Sequence, residues 1–310
     1  MKMKKAMSGA LVCALLATLP LLRAAVAQEH DPTIVAAGDI ACDPQAPASA
    51  KGDDDSGPGC AQRATAALIA AQHPDAVLTI GDEQYPSGAY ASFERGYAPT
   101  WGRFREITHP VPGNHEYGTP GAAGYFKYFG EAAGDPARGY YSYDLGSWHV
   151  VALNGNCAHV GGCGVNSPQE RWLKADLADH RTPCTLAYWH QPRFSSGPHH
   201  SDATYDAFWQ DLYAASADVV LNGHDHDYER FDPQRPDATA DPSGITEFVV
   251  GTGGRSHYTF GTIEPNSSIH DNTTFGILVL TLHAHSFEWN FVPARANGFT
   301  DSGTTDCHGA

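Results

Sequence analysis

Eight side chains able to hold a metal ion or a phosphate stand behind short apolar runs in this 310-residue chain. Asp39 follows "TIVAAG". Asp82 and Tyr85 lie in "GDEQY" behind "DAVLTI", and Asn114 and His115 in "GNHE" behind "THPVP". His190 ends "TLAYWH", and His224 and His226 lie in "GHDH" behind "ADVVLN". Carboxylate, phenol, amide oxygen and imidazole together suit transition metals such as iron, zinc or manganese. A carboxylate has two oxygens and can bridge two ions. Two ions about 4 Å apart clamp a phosphoryl group and activate a shared hydroxide. A single "GD" or "GNH" is an ordinary turn, so the signal is five such fragments in order, each behind an apolar run.

The elements that must position these groups are legible in outline. Continuous apolar runs of this length read as strands buried on both faces. Helical patterns lie between them. "CAQRATAALIAAQH" has apolar residues at helical spacing and ends before Pro74. "SPQERWLKADLADH" opens with Ser167 as cap, Pro168 in the first turn and Glu170 three residues after the cap. "SDATYDAFWQDLYAAS" opens similarly. Strands alternating with helices predict an α/β layered domain, in which functional groups collect at the carboxyl ends of strands. "YYSYDLGSWHVVALN", "ITEFVVGTGG" and "FGILVLTLHAHSFEWNFVPA" read as longer strands, with His283 and His285 on one face of the last. Asp43 to Gly59 and Asp232 to Gly244 read as long loops.

The five blocks, Gly38-Asp39, "GDEQY", "GNHE", "AYWH" and "GHDH", resemble those of the calcineurin-like metallophosphoesterases, and within them the purple acid phosphatase branch. The resemblance implies a single-domain, four-layer α/β/β/α sandwich over residues 28–310 with a dinuclear centre at the strand ends. Most of that superfamily carries a histidine two residues after the first aspartate, where this chain has Ala41. Tyr85, three residues after Asp82, is the ligand that the purple acid phosphatases use at that metal, so the missing histidine and the tyrosine agree. Carried over, Asp39, Asp82, Tyr85 and His226 would hold Fe(III), for which a phenolate is a hard anionic donor. Asp82, Asn114, His190 and His224 would hold a second ion, Fe(II), Zn or Mn, with Asp82 as the bridge. His115 would contact the substrate phosphate. His199 and His200, nine and ten residues after His190, match a histidine pair of the plant enzymes that touches phosphate or protonates the leaving group.

The implied activity is hydrolysis of phosphomonoesters by attack of a metal-bound hydroxide, the partner being a small phosphoester. Phosphodiester hydrolysis on the same site is the alternative, and an inactive metal-stabilised binding module the minor one. His149 reads as a hydrogen-bonded core residue, and His109 and His257 as structural. Tyr140, Tyr141 and Tyr143 read as strand packing. Asp225 reads as a spacer or a support for the ligands, and Asp227 and Glu229 as solvated loop.

The chain's ends and bulk charge bound its context. Residues 1–27 begin with Lys2, Lys4 and Lys5, continue through an apolar stretch and end in "AVA". That order is a secretory signal peptide cut near Ala27, and it implies a secreted or periplasmic protein with no stable membrane anchor after cleavage. The segment holds four of the 19 basic residues and no acidic one, which leaves 15 basic against 35 acidic side chains. A surface so acidic repels polyanions, so nucleic acid is not an expected partner. Six cysteines remain beyond the signal, and an even number in an exported chain predicts disulfides rather than zinc, since no C-x-x-C pair exists. Fifteen pairings are open. Cys42 with Cys60 and Cys157 with Cys163 would each close a local loop, leaving Cys184 with Cys307. The short stretch before Asp39 has no room for the N-terminal β-domain of the plant enzymes, so a monomer is the expectation.

Overall fold

The computed structural model describes residues 1, 30–43, 45 and 60–309. The signal segment and its cut site, apart from Met1, lie outside these residues, as does most of the loop from Asp43 to Gly59. Among the described residues thirteen strands run in chain order: Thr33–Ala37 (β1), Ala76–Ile80 (β2), Thr108–Val111 (β3), Tyr141–Leu145 (β4), Trp148–Ala152 (β5), Cys184–Tyr188 (β6), Val219–Asn222 (β7), Tyr228–Gln234 (β8), Ile245–Val250 (β9), Ser267–Asp271 (β10), Gly276–Leu282 (β11), Ser286–Pro293 (β12) and Ser302–Asp306 (β13). One sheet has the order β13-β12-β11-β1-β2-β3 and the other β10-β8-β9-β7-β6-β5-β4. The parallel strands are β1, β2 and β3 at one end of the first sheet, and β5, β6, β7 and β9 in the centre of the second. The other pairings are antiparallel.

The parallel strands are the apolar runs of the sequence, and "AVLTI" and "VVLN" among them are buried throughout. Their side chains alternate between two cores, as a period of two requires. In the second sheet Val150, Leu186, Val219 and Phe248 join the core shared with the first sheet. Val151, Ala187, Val220 and Val249 join a second core with Leu173 and Leu177 of the helix Pro168–Asp179 and Phe208 and Leu212 of the helix Asp206–Ala214. The sheets meet face to face through β12: Phe287 lies 5.8 Å from Trp148, Trp289 5.8 Å from Phe248, and Phe291 4.5 Å from Tyr228. The helix Gln62–Gln72 packs Ala66 and Ile69 against the first sheet. The second sheet therefore has the first sheet on one face and two helices on the other.

Local signals placed the helices well. Ser167 caps its helix by accepting from the Glu170 N–H at 3.2 Å, with Pro168 at the first position. The stretch opening at Ser201 differs: Asp202 caps a single 3-10 turn, and the helix begins only at Asp206. Two expected long strands are hairpins. "YYSYDLGSWHVVALN" turns at Gly146, whose φ is 60°. β11 and β12 turn at His283–His285, so these histidines do not alternate along a strand, and His283 Nδ1 instead reaches Asp31 Oδ2 at 2.8 Å. The loop expected from Asp232 starts later, because β8 runs on to Gln234. His149 is a hydrogen-bonded core residue, with Nδ1 2.9 Å from Asp144 and Nε2 2.8 Å from Asp176. All six cysteines pair, Cys42–Cys60, Cys157–Cys163 and Cys184–Cys307. Among the described residues no helix is long and apolar enough to cross a membrane.

Candidate metal centre

The turns after β1, β2, β3, β6 and β7 converge where the two sheets meet. The β1 and β2 turns run side by side, with Asp39 N–H donating to Gly81 O at 3.1 Å and Ile40 N–H to Asp82 O at 3.0 Å. The second sheet is tied to them by Gly38 N–H on Val250 O at 2.9 Å. Asp39, Asp82 and His224 all have left-handed backbones, with φ of 59°, 49° and 71°. Such a conformation costs a non-glycine residue about 1–3 kcal/mol, and it concentrates at functional sites. Glycines let the ligand turns close: a Cβ on Gly113 would lie 2.1 Å from Asp82 Oδ1, and one on Gly223 2.6 Å from Asp39 Oδ2.

Tyr85 Oη is the focus of the first group. It lies 2.8 Å from Asp39 Oδ1, 3.0 Å from Asp82 Oδ2 and 3.0 Å from His226 Nε2. The second group shares Asp82, whose Oδ2 is 3.2 Å from His190 Nε2. Asp82, His190 and His224 each offer a donor atom within 4.8 Å of the others. His190 donates from Nδ1 to Ile80 O at 2.7 Å, which fixes its tautomer and turns Nε2 to the site. Asn114 is an exposed residue of the β3 turn, held beside Asp82 by His115 N–H, which donates to Asp82 Oδ1 at 2.8 Å. His115 donates from Nδ1 to Pro86 O at 2.7 Å and leaves Nε2 3.8 Å from Asp82 Oδ2.

The electrostatics match a cation site. Asp39, Asp82, Tyr85, His190 and His226 are all at most 3 % exposed. His190 Nε2 is buried without a hydrogen-bond partner. Burial pushes the Asp82 carboxyl up, but His190 and His115 beside it outweigh that and hold it well below the usual range. Burial works against a charged His190, yet Asp82 and Asp39 raise it to about 10. Burial, then the neighbouring His190 and His199, push His224 down to about 3. Burial and then Asp39 push the Tyr85 phenol well up. Two carboxylates, a phenol and three imidazoles packed this tightly fit two cations, which would take up the charge and the orphaned lone pair.

The family model for calcineurin-like phosphoesterases matches residues 32–228, the span that holds all five turns. The chain belongs to that family. Among curated proteins it is 32% identical over 218 residues to purple acid phosphatase 15 of Arabidopsis thaliana, covering 58% of this chain and 40% of that one. It is 26% identical over 254 residues to Fe(3+)-Zn(2+) purple acid phosphatase 12 of the same plant, covering 69% and 53%. The chain thus spans about half the length of such relatives, or less. The purple acid phosphatase from yellow lupin (Lupinus luteus) seeds superposes with a TM-score of 0.72 at 18% identity, over 90% of this chain and 54% of that one. The shared fold and the purple acid phosphatase branch agree with the resemblance carried by the blocks.

Other residues bear on the site without having stood out as chemistry. Glu116, the last residue of "GNHE", is fully buried and accepts from Asp82 N–H and Gly113 N–H at 2.9 Å and from Gln84 N–H at 3.1 Å. Burial, then Asp82, raise its carboxyl to about 7. Tyr258 stacks on His226 at 3.9 Å and 12°, and Arg255 lies over the Tyr85 ring at 4.9 Å. No block pointed to either. His199 packs against His224, with ring centroids 4.1 Å apart and a tilt of 33°. His200 is exposed in a left-handed turn beside Gly261. Asp227 and Glu229 correct an expectation: both are fully buried, not solvated. Glu229 lies in β8 and accepts from Ser196 N–H at 2.9 Å, and from the hydroxyls of Ser196 and Ser267. Burial raises both carboxyls.

Proposed function

We propose that this chain is an exported phosphoric ester hydrolase that uses two metal ions to hydrolyse phosphomonoesters. The observation that carries the reading is Tyr85 Oη, within 3.0 Å of Asp39, Asp82 and His226 at once. A phenolate there is a hard oxygen donor, which favours Fe(III) on Asp39, Asp82, Tyr85 and His226. Asp82, Asn114, His190 and His224 would hold Fe(II), Zn or Mn, in keeping with the iron and zinc in the name of one relative. When bound, the two ions supply an activated water and positive charge for the phosphoryl oxygens.

The chain's own residues do the remaining work. Pro86 O accepts from His115 Nδ1–H, so Nε2 is the atom left for the substrate, and a protonated ring would donate from it to a phosphoryl oxygen. The phosphate is oriented there in a setting whose fixed donors need no reorganisation. His199 or His200 gives a proton to the departing oxygen. The three disulfides suit the oxidising compartment expected of a secreted or periplasmic protein.

The test loads the purified protein with iron and zinc and compares p-nitrophenyl phosphate with bis(p-nitrophenyl) phosphate. Faster turnover of the monoester supports the reading. Preference for the diester moves it to the phosphodiesterase alternative. Hydrolysis of neither leaves a metal-stabilised binding module.

A further inference from the structure

Asp225 sits between the two histidines of "GHDH" and points away from their shared task. Its side chain is fully buried. Oδ1 accepts from the His199 backbone N–H at 3.2 Å and from His199 Nδ1 at 2.7 Å. Oδ2 accepts from the Ser195 hydroxyl, which in turn accepts from Gly197 N–H at 2.9 Å. The loop closes tightly over this carboxylate, since a Cβ on Gly197 would lie 2.3 Å from Asp225 Cγ.

His199 is thus held on three sides. Its Nδ1 is taken by Asp225, its ring packs against that of His224 at 4.1 Å with a tilt of 33°, and Tyr258 meets it edge-on at 5.6 Å. A carboxylate only accepts, so the Nδ1 proton is fixed and Nε2 is the nitrogen left for chemistry. The side chain is 43 % exposed, so the ring is within reach of a bound ester and of solvent. His200 has no comparable anchor among the described residues.

We infer that Asp225 is a positioning residue that holds His199, rather than His200, as the proton donor to the leaving oxygen. The inference rests on the phosphatase reading above. As the P–O bond breaks, its electron pair goes to the ester oxygen, and the proton on His199 Nε2 passes to that oxygen. The neutral imidazole keeps its Nδ1 proton on Asp225 and regains the other from solvent water.

The experiment compares the metal-loaded wild type with Asp225→Ala, His199→Ala and the double variant on p-nitrophenyl phosphate and glycerol phosphate. The nitrophenolate leaves without protonation, whereas the alkoxide needs it. Each single variant should lower kcat on glycerol phosphate, relative to p-nitrophenyl phosphate, by about 100-fold, the lower end of what general acid catalysis supplies. The double variant should be no worse than His199→Ala, because both changes remove one function. The ratio of the two rates does not depend on how much enzyme is folded and metal-loaded. If Asp225→Ala does not fold, Asp225→Leu keeps the volume without the acceptors and is read by the same ratio. An unchanged ratio, an equal loss on both esters, or a double variant far below His199→Ala would overturn the inference. Wild-type protein inactive on both esters would instead overturn the phosphatase reading itself.

Discussion

The Glu116 carboxylate accepts the backbone N–H of Asp82 at 2.9 Å, and so governs where this proposed bridging ligand stands. The same oxygen takes Gly113 N–H, and the other takes Gln84 N–H, so one buried acid welds the β2 turn to the β3 turn. Glu116→Gln leaves one oxygen to face three donors and brings an amide N–H₂ against the rest. An unsatisfied buried donor costs about 1–3 kcal/mol. Urea denaturation should show a loss of that size, with weakened metal retention on dialysis. Full stability and full metal content would contradict this role.

Tyr85 supplies the oxygen on which two carboxylates and His226 converge. With iron loaded, the wild type should be coloured by the phenolate-to-ferric transition. Tyr85→Phe should abolish the visible band and shift the thermal midpoint by only a few degrees. A colourless wild type carrying two zinc ions would reject the ferric assignment while leaving the two-metal site in place.

His149 lies between Asp144 and Asp176, away from the metal centre, with His180 stacked on its ring at 4.4 Å. Burial opposes its charge, but hydrogen bonds to Asp176 and Asp144 win and raise it above the ordinary 6.5. A raised histidine contributes stability that is fully present below the unfolded value and is lost as pH climbs through the folded one. Hydrogen bonds to a charged group contribute about 1.5–3 kcal/mol. His149→Gln should therefore lose most against the wild type at pH 6 and progressively less towards pH 9, as read from urea midpoints. A gap that widens with pH would reverse the sign.

Cys184 and Cys307 join the start of β6 to the end of β13 across 123 residues. A crosslink closing so long a loop stabilises mainly by restricting the unfolded chain, by about 2–5 kcal/mol. The paired Cys184→Ser and Cys307→Ser variant should lower the denaturant midpoint accordingly. Activity per folded molecule should persist, since the bond lies at the opposite end of β6 from His190.

The sequence by itself determined the types of the candidate ligands, their order, and their place at the ends of apolar strands. These are local properties: an apolar run ended by Gly and a polar residue is written in consecutive positions, as is the Ser167 cap. The pairing of Tyr85 with the absence of a histidine at Ala41 was equally readable. Which acids are buried was decided only by tertiary structure. Glu229 meets Ser196 and Ser267, 33 and 38 residues away, and its own neighbours carry no trace of them. Likewise "HH" at His199 and His200 is symmetric in sequence, and the symmetry breaks only where Asp225, 26 residues on, takes the Nδ1 of one of them. Burial and hydrogen-bond partners are properties of the packed chain, since water is excluded by whichever segment arrives, not by the residue's neighbours in sequence.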